Sequence, residues 1–375
     1  MRVLHVYKTY FPDTQGGLEE AIRQICLNTQ HHAVESRVFC LSRHPSPRVV
    51  KRAEAEVYRV QQTFELASCG FSFQALSAFR QQVEWADIVH YHFPWPFADM
   101  LHLLARVKKP TVVTYQSDII RQKGLLQLYR PLMHYFLSDV DQIVSTSPTY
   151  FETSSTLQRH KHKVDIIPIG LNRDSYPPLN PEIMDRLRSQ VGDNFFLFVG
   201  VLRYYKGLHI LLEAAKDCAF QVVIVGTGPV EAQLKHQAQQ LGLANVHFLG
   251  FVSDDEKIAL YHLALAVVFP SHLRSEAFGV TLVEGAMFAK PLISAEIGSG
   301  MSYININAVT GLSVEPNNPL SLRTAMEKLY HSPTLAQQYG QQAHQRYQHL
   351  FTGKRMGELY AQLYAQLRPK KPKSN

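Results

Sequence analysis

Short apolar runs alternate with helical patterns from one end of the chain to the other. The runs are rich in Val, Ile and Phe and are bounded by turn residues, so they predict strands that are buried on both faces. This alternation predicts an α/β fold whose parallel sheets are covered by helices on both sides. The candidate strands are residues 2–7, 36–41, 55–60, 87–91, 111–115, 142–145 and 165–168 in the first half, and 195–199, 221–225, 246–249, 265–269, 291–294 and 312–314 in the second.

Proline marks the division between the two halves. Pro177, Pro178 and Pro181 fall within residues 170–181, which makes this segment the predicted linker between two doubly wound, Rossmann-like domains. We expect domains at residues 1–172 and 173–350, then a helix at 351–367 and a basic, disordered tail at 368–375. Because ligands of such folds bind outside the carboxyl ends of the strands, we also expect a cleft between the domains.

Composition and charge exclude several classes of protein. The formal net charge is +7 over 375 residues, and no nucleic-acid recognition motif is visible, so no nucleic-acid partner is expected. Mild basicity suits phosphate-bearing ligands or an anionic membrane surface, and plain solubility explains it equally well. The four cysteines lack CxxC spacing, which argues against a zinc site. No apolar run reaches the roughly 18–20 residues that span a bilayer, and no signal-peptide pattern is present, so the sequence predicts a cytoplasmic protein.

The most informative segment is SEAFGVTLVE, which places Glu276 before a predicted helix and Glu284 about two turns inside it. The free backbone N–H groups of the first turn, near Phe278, Gly279 and Val280, would bind an anion such as a diphosphate. Glu284 shares its helix with many apolar side chains, and a carboxylate in such surroundings needs a partner. Ligand hydroxyl groups are one candidate partner.

Other polar residues and glycines follow predicted strands. Arg203 and Lys206 come shortly after the strand that ends before Gly200, where two cations would neutralise a leaving diphosphate. The pair Gly16-Gly17 lies between the first strand and a helix, so its backbone would approach a phosphate closely, although a plain tight turn explains it as well. His92 ends the strand in VHYHFPWP, and we favour a hydrogen-bonding role facing the cleft over a buried structural one.

Two further motifs have simple structural explanations, which we prefer to functional ones. Asp139 and Asp141 resemble a metal-binding DxD, but Asp141 directly precedes a predicted strand in the same way as Asp87, so both are interpreted as turn residues. The run VGTGPV has Glu231 where a dinucleotide fingerprint would have its third glycine, which argues against a dehydrogenase.

An apolar stripe runs along the predicted helix 125–137. Leu125, Leu128, Leu132 and Phe136 recur at helical spacing, and Arg130 is close to them in the sequence. The stripe could rest against a membrane, but a stripe that faces the protein core is the preferred interpretation.

Taken in this order, Gly16-Gly17, His92, Arg203, Lys206 and the two glutamates resemble retaining family-4 glycosyltransferases of the GT-B fold. The similarity extends from residue 3 to about residue 351 and includes the segments IPIGLN, FLGFVSDDEK, FPS and TGLSVEP. The resemblance implies two Rossmann-like domains with a cleft between them and a last helix that crosses back onto the first domain.

The resemblance also implies roles for individual residues. Glu284 would hold the ribose hydroxyls of a nucleotide sugar, and Glu276 would bind a hydroxyl of the transferred hexose. Arg203 and Lys206 would bind the diphosphate, helped by Gly17 and by the amides near residues 278–280, and His92 would lie near the reacting sugar. The positions that match base contacts in GDP-mannose-using relatives are Val252, Asp254 and Lys257.

The implied activity is hexose transfer from a nucleotide-diphospho sugar, GDP-mannose or a UDP-sugar, to a glycan or lipid-linked acceptor in cell-surface polysaccharide synthesis. TYQSDIIRQK and EIGSGMSYIN are most similar to bacterial polysaccharide mannosyltransferases. Neither a metal nor another cofactor is expected, and an anionic membrane is a candidate for peripheral contact. Gln116 stands where relatives often have His, and Leu265 where they have Asp. The alternatives are a sugar-nucleotide epimerase of the same fold and a hinged, non-catalytic sugar-binding protein.

Overall fold

The computed structural model describes residues 1–66, 69–119 and 123–367. Within these ranges the chain forms two compact units, one of Met1–Gly170 together with the chain from Gly353 onward, the other of Leu171–Thr352. The tail predicted at 368–375 lies outside the described residues. We keep the limits 1–172 and 173–350 as a proposal for the functional domains.

An eight-stranded sheet forms the centre of the first unit, in the order β10-β9-β8-β7-β1-β2-β4-β3. All neighbouring strands are parallel except the short β3, which runs antiparallel to β4. The strands are β1 Arg2–Val6, β2 Glu35–Ser42, β3 Val49–Lys51, β4 Glu56–Gln61, β7 Ile88–Phe93, β8 Thr111–Tyr115, β9 Gln142–Ser145 and β10 Val164–Ile166, with a separate hairpin of β5 Phe64–Leu66 and β6 Cys69–Phe71.

All seven strands predicted for the first half are therefore present, which confirms the predicted parallel sheet. The sequence pattern missed β3, β5 and β6, three short strands of three residues each with at most one buried side chain. The helices of this unit are α1 Gly17–Gln30, α2 Ala75–Trp85, α3 Pro96–Ala105, α4 Lys123–Asp139, α5 Pro148–Thr153, α6 Ser155–Arg159 and, at the end of the chain, α15 Gly353–Leu367.

The last helix packs against the first unit, as the resemblance implied. Tyr360, Leu363 and Tyr364 of α15 are buried in one apolar cluster with Val3 of β1 and with other strand residues. The helix lies so close to α1 that a Cβ atom at Gly357 would stand 2.7 Å from the Cβ of Asn28. Only a glycine allows this approach without a shift of backbone, so Gly357 helps to fix α15 on α1.

The second unit contains a six-stranded sheet in which every neighbouring pair is parallel, in the order β13-β12-β11-β14-β15-β16. This is the strand order of a doubly wound nucleotide-binding domain, and it confirms the predicted fold class. The strands are β11 Phe196–Val199, β12 Val222–Val225, β13 Val246–Gly250, β14 Ala266–Phe269, β15 Leu292–Ala295 and β16 Gly311–Val314.

Helices connect these strands and cover both faces of the sheet. They are α7 Pro181–Val191, α8 Leu208–Ala215, α9 Glu231–Gln240, α10 Asp254–Leu263, α11 Val280–Met287, α12 Met301–Ile304, α13 Pro319–Tyr330 and α14 Pro333–Leu350. Buried strands and short connections leave the functional residues in the loops at the carboxyl ends of the strands. No helix within the described part of the chain is long and apolar enough to cross a membrane.

Candidate active site

The strand order of the second unit reverses between β11 and β14. The connections after β11 lead outward to β12 and β13, whereas the connections after β14 lead in the opposite direction to β15 and β16. Loops that leave two such strands diverge, which opens a crevice at their carboxyl ends. Arg203 and Lys206 follow β11, and Glu276 follows β14. The residues predicted to carry the chemistry therefore flank the point where a ligand is expected.

Lys206 and Glu276 are in direct contact. The Lys206 ammonium donates a hydrogen bond to the Glu276 carboxylate, and both side chains are largely buried, each with 12% of its surface exposed. The Lys206 Nζ also lies 4.4 Å from the centre of the Phe269 ring, at the end of β14. Arg203 is exposed at the start of the same loop. The contact joins the loops after β11 and β14.

Glu284 is buried in α11 and has protein partners. Tyr176 and Lys257 donate hydrogen bonds to its Oε1 atom at 3.0 and 3.1 Å, and the Tyr261 hydroxyl donates to Oε2 at 2.8 Å. The need for a partner, inferred from the apolar helix, is thus met inside the protein. A carboxylate offers about four lone-pair sites, so these three bonds leave room for one more donor.

Lys257 extends this cluster toward α10. Its ammonium contacts Asp254 at 3.2 Å as well as Glu284. Burial opposes the charge of Lys257, but the two carboxylates outweigh that effect and raise the pKa of Lys257 above its usual value. Val252 lies between β13 and α10. Asp254, Lys257 and Glu284, which the sequence proposed as donor ligands, therefore form one charged cluster.

The first turn of α11 faces the same end of the sheet. Gly279 is its N-cap residue with φ +95°, a backbone conformation that residues with a side chain rarely adopt. The chain enters the helix at Val280 directly after Phe278 and Gly279, which leaves the first-turn N–H groups without partners inside the helix. Gly200 directly follows β11 and has φ +154°, at the same end of the sheet. Diphosphate binding by these backbone groups stays a prediction.

In the first unit, Gly16 is the N-cap of α1 and Gly17 is its first residue. Glu19, which the sequence analysis did not single out, lies beneath this turn with 8% of its surface exposed. Its Oε1 atom accepts hydrogen bonds from the hydroxyls of Thr9 and Thr14, both at 2.9 Å. Glu19 therefore ties the loop after β1 to the glycine turn. The sequence signal that could have identified Glu19 is its position in the pattern GGxE, two residues after the glycine pair.

His92 is buried in β7 and its Nε2 atom lies 3.1 Å from Nδ1 of His5 in β1. Burial, reinforced by the neighbouring His5, holds the pKa of His92 well below its usual value, so the ring is neutral at pH 7. His92 is thus buried within the first unit, with 1% of its surface exposed. A role near the reacting sugar stays a prediction.

His5, His90 and His92 form a cluster whose potential ligand atoms lie within 4.8 Å of one another. The His90 and His92 rings are stacked with centres 4.4 Å apart. Both ring nitrogens of His90 are hydrogen-bonded at 2.7 Å, to the hydroxyls of Tyr364 and Thr114. Stacked rings do not aim their in-plane lone pairs at a common point, so this arrangement favours a core hydrogen-bond network over a metal site.

Gln116 follows β8 and is 7% exposed. Its Nε2 amide has no hydrogen-bond partner among the described residues. Asp139 accepts from His102 at 2.8 Å, whereas Asp141 accepts from the backbone and hydroxyl of Thr111, both at 2.8 Å. Asp139, the last residue of α4, and Asp141, just before β9, are thus bound to different partners in the fold, while Gln116 retains an unused donor.

Comparison with known proteins identifies the family. The model of the glycosyl transferase 4-like domain matches residues 16–170, and that of glycosyl transferases group 1 matches residues 180–346. A D-rhamnosyltransferase, WbpZ, of Pseudomonas aeruginosa is 52% identical over 352 residues, which cover 94% of this chain and 92% of the relative. The chain belongs to the group 1 glycosyltransferases. This confirms the resemblance drawn from the sequence.

A second relative is the O-antigen chain mannosyltransferase C of Escherichia coli, which is 48% identical over 98% of this chain and 99% of its own length. Among solved structures, sucrose-phosphate synthase from Thermosynechococcus elongatus superposes with a TM-score of 0.82 at 20% identity over 98% of both chains. WaaG, a glycosyltransferase involved in lipopolysaccharide biosynthesis, superposes with a TM-score of 0.68 at 16% identity, over 96% of this chain and 99% of its own. At these identities the structures support the GT-B fold alone.

Proposed function

We propose that this glycosyltransferase moves mannose or D-rhamnose from a nucleotide-diphospho sugar, with GDP favoured, to a growing O-antigen glycan of lipopolysaccharide. The observation that carries the proposal is the pair of relatives at 52% and 48% identity, each aligned over more than nine-tenths of both chains. D-Rhamnose is mannose without the 6-hydroxyl group. A single donor pocket with a small difference near that carbon would therefore serve either sugar.

We assign the donor to the second unit. Glu284 would accept hydrogen bonds from the ribose hydroxyls through its remaining lone pair, and the rearrangement of one tyrosine contact would free a second. Lys257 would hold the Glu284 carboxylate in place, and Val252, just before α10, and Asp254, its first residue, would border the base. The three charged or phenolic partners already packed around Glu284 support a rigid pocket, because each restricts the orientation of the carboxylate.

The chemistry follows from where charge develops. As the bond from the sugar C1 to the diphosphate oxygen breaks, negative charge grows on the diphosphate, and Arg203, Lys206 and the first-turn amides of α11 would stabilise it. Glu276 would bind a hydroxyl of the hexose. The acceptor oxygen would form its bond to C1 on the same face, and its proton would pass to the leaving phosphate oxygen. The anomeric configuration would be retained, without a metal ion or another cofactor.

We place the acceptor on the first unit, at the loops 9–15 and 43–52. A glycan carried on a membrane lipid fits an enzyme that works in the cytoplasm, at the inner face of the membrane. The unused amide donor of Gln116, at the carboxyl end of β8, supports a polar ligand on this unit, because a buried donor without a partner costs free energy unless a ligand or water satisfies it.

Calorimetry on a panel of nucleotide sugars tests the proposal. The panel contains GDP-mannose, GDP-D-rhamnose, GDP-fucose, UDP-glucose, UDP-N-acetylglucosamine and UDP-galactose. We expect a GDP-sugar to bind the wild type and to lose at least about tenfold in affinity in Glu284→Ala, the loss of one charge-assisted hydrogen bond. The matched control is Glu231→Ala, which removes a half-buried carboxylate that pairs with Lys235 in the same unit. Equal affinity in Glu284→Ala and wild type, or binding of UDP-sugars alone, would contradict this donor assignment.

Product analysis tests the reaction itself. The glycan product should carry an α-linked sugar from an α-linked donor, measured by the anomeric coupling constants in NMR. Activity should persist in excess EDTA. Complete loss that manganese restores would instead assign Asp139 and Asp141 a metal-binding role.

A further inference from the structure

The helix α4 carries exposed apolar side chains on its outer face. Leu128 is 81% exposed and Tyr135 is 61% exposed, and their separation of seven residues places them on one side of the helix. Met133 and Phe136, on the other side, are 4% and 0% exposed. The preference for a core-facing stripe is therefore wrong for Leu128 and correct for Phe136. The side chain of Leu125 lies outside the described part of the chain.

The prediction was wrong for Leu128 because the sequence pattern assigned residues on two different faces of the helix to one apolar stripe. Leu128 and Phe136 are eight positions apart, a separation that drifts by about 80° around an α-helix. The buried side of α4 is closed by ties to α3, because the Tyr129 hydroxyl donates to the Asp99 carboxylate and His102 is bonded to Asp139. These ties fix which face points outward and leave Leu128 and Tyr135 without a core to enter.

A cluster of basic side chains lies around His134 and Ser138, in the C-terminal half of α4. Arg130 belongs to α4, Arg159 ends α6, and Lys161 and Lys163 belong to the short 3-10 turn Lys161–Lys163 that follows. The Lys163 ammonium donates to the Ser138 carbonyl near the end of α4 at 2.8 Å, which anchors this turn against the helix. The tertiary structure therefore brings Arg130 close to three cations that follow it by about 30 residues in the sequence.

Two histidines report the proximity of these cations. The rings of His134 in α4 and His160, directly before the turn, have centres 6.1 Å apart. Burial, together with the neighbouring Lys163, His134 and Arg159, lowers the pKa of His160 to about 4. The nearby carboxylates of Asp139 and Asp141 are already hydrogen-bonded to His102 and Thr111. At pH 7 the charge of the cluster thus comes from its arginines and lysines.

We propose that Leu128, Tyr135, Arg130, Arg159 and Lys161 form a docking surface that binds the protein peripherally to an anionic lipid bilayer. Exposed Leu and Tyr side chains on a helix partition into the boundary between headgroups and acyl chains, while cations beside them bind the anionic headgroups. Either attraction alone is weak, and the combination gives stable, reversible binding. The inference rests on the proposed lipid-linked glycan acceptor, which the surface would bring to the enzyme.

Vesicle sedimentation of the full-length protein tests the surface. We expect binding to vesicles with 30% phosphatidylglycerol, as the probe composition, and little binding to pure phosphatidylcholine. Arg159→Glu with Lys161→Glu should weaken binding at least about 25-fold, since each cation near the membrane surface contributes about fivefold. Leu128→Ser with Tyr135→Ser should weaken it at least about tenfold and make the remainder more sensitive to salt. All four side chains are exposed, so melting temperatures should be unchanged.

The matched control lies on α13 of the second unit, where Leu320 is 68% exposed and Lys328 is exposed as well. Leu320→Ser with Lys328→Glu should bind vesicles like the wild type. Failure of the wild type to bind anionic vesicles, or equal loss in the control, would overturn the proposal. So would competition by 10 mM inorganic phosphate alone, which would indicate a free-anion site.

Transfer to a water-soluble oligosaccharide acceptor separates this inference from the proposed function. The docking variants should keep wild-type activity on that acceptor and lose activity only on a lipid-linked acceptor in vesicles. Intact sugar transfer without any vesicle binding would overturn the docking surface and leave the function standing. Vesicle binding without transfer from any donor would overturn the function instead.

Discussion

Lys206 donates a hydrogen bond to Glu276 across the gap between the loops after β11 and β14. Each residue is thereby fixed by the other at the strand-order reversal of the second unit, where both are 12% exposed. A cation and a carboxylate this close give the site a nearly neutral resting charge. When a donor diphosphate binds, Lys206 can share its three N–H groups between the phosphate and Glu276 without losing the contact.

This contact predicts that substitutions of Glu276 and Lys206 have different effects on donor binding and on turnover. Glu276→Gln keeps a hydrogen-bond acceptor for Lys206, so donor affinity should fall less than about threefold, whereas kcat should fall at least about 100-fold because a charged contact to the sugar is lost. Lys206→Ala should weaken both donor binding and kcat. Separate measurements of donor Kd by calorimetry and of kcat by product formation check the split. Unchanged turnover in Glu276→Gln would remove Glu276 from the mechanism.

Gln116 offers a test of whether an unsatisfied buried donor serves a ligand. Replacing it by Leu removes a buried amide that has no partner among the described residues, so the melting temperature should stay the same or rise. We expect kcat with the glycan acceptor to fall by about tenfold or more in Gln116→Leu, with donor Kd unchanged. If Gln116→Leu keeps full activity, the Gln116 amide does not bind the acceptor, and the side chain only fills space in the fold.

Glu19 is expected to position the loop after β1 through hydrogen bonds rather than through its charge. Glu19→Gln retains an oxygen that accepts from Thr9 and Thr14 and should keep KM for the acceptor within about twofold, because neutral hydrogen bonds replace both contacts. Glu19→Ala should raise KM for the acceptor, and the double variant Thr9→Val, Thr14→Val should match it.

A first-turn control for Glu19 is Glu20→Ala, since Glu20 bonds to Arg23 and Gln24 of its own helix. Its KM should resemble that of the wild type. Equal losses in Glu19→Gln and Glu19→Ala would mean that the negative charge itself is required.

The buried histidines predict acid sensitivity of the first unit. Burial lowers the pKa of His5 to about 3, below the value of about 6.5 in the unfolded chain. Between these values the unfolded state binds more protons, so this contribution to stability is complete above about pH 6.5 and is lost as the pH falls toward 3. The maximum slope is about 1.4 kcal/mol per pH unit for each such histidine.

Melting temperatures at pH 7.5 and 5.0 measure this effect. The wild type should lose more on acidification than His5→Gln, which has no titrating group at that position. His31→Gln, on the exposed end of α1, is the control and should follow the wild type. Parallel curves for His5→Gln and wild type would show that His5 does not titrate in this range.

The sequence by itself determined the elements and the family. Strand cores such as Phe196–Val199 and Ala266–Phe269 are continuous apolar runs, and only a parallel sheet covered on both faces buries such runs completely. The sequence predicted Glu276 in a loop and Glu284 inside the following helix, but Glu284 lies about one turn into the helix rather than two, because α11 begins at Val280. The three-residue strands β3, β5 and β6 were not predicted, because pairing rather than local pattern forms them.

Only the tertiary structure decided which partners these side chains have. The tyrosines and the lysine around Glu284 come from two separate segments, the chain before α7 and the helix α10, and the partner of His92 is His5, 87 residues away. The outward direction of Leu128 was decided by the contacts of α4 with α3. Hydrogen bonds and packing across the sheet depend on which elements become neighbours in space, and periodicity along a single element carries no information about that.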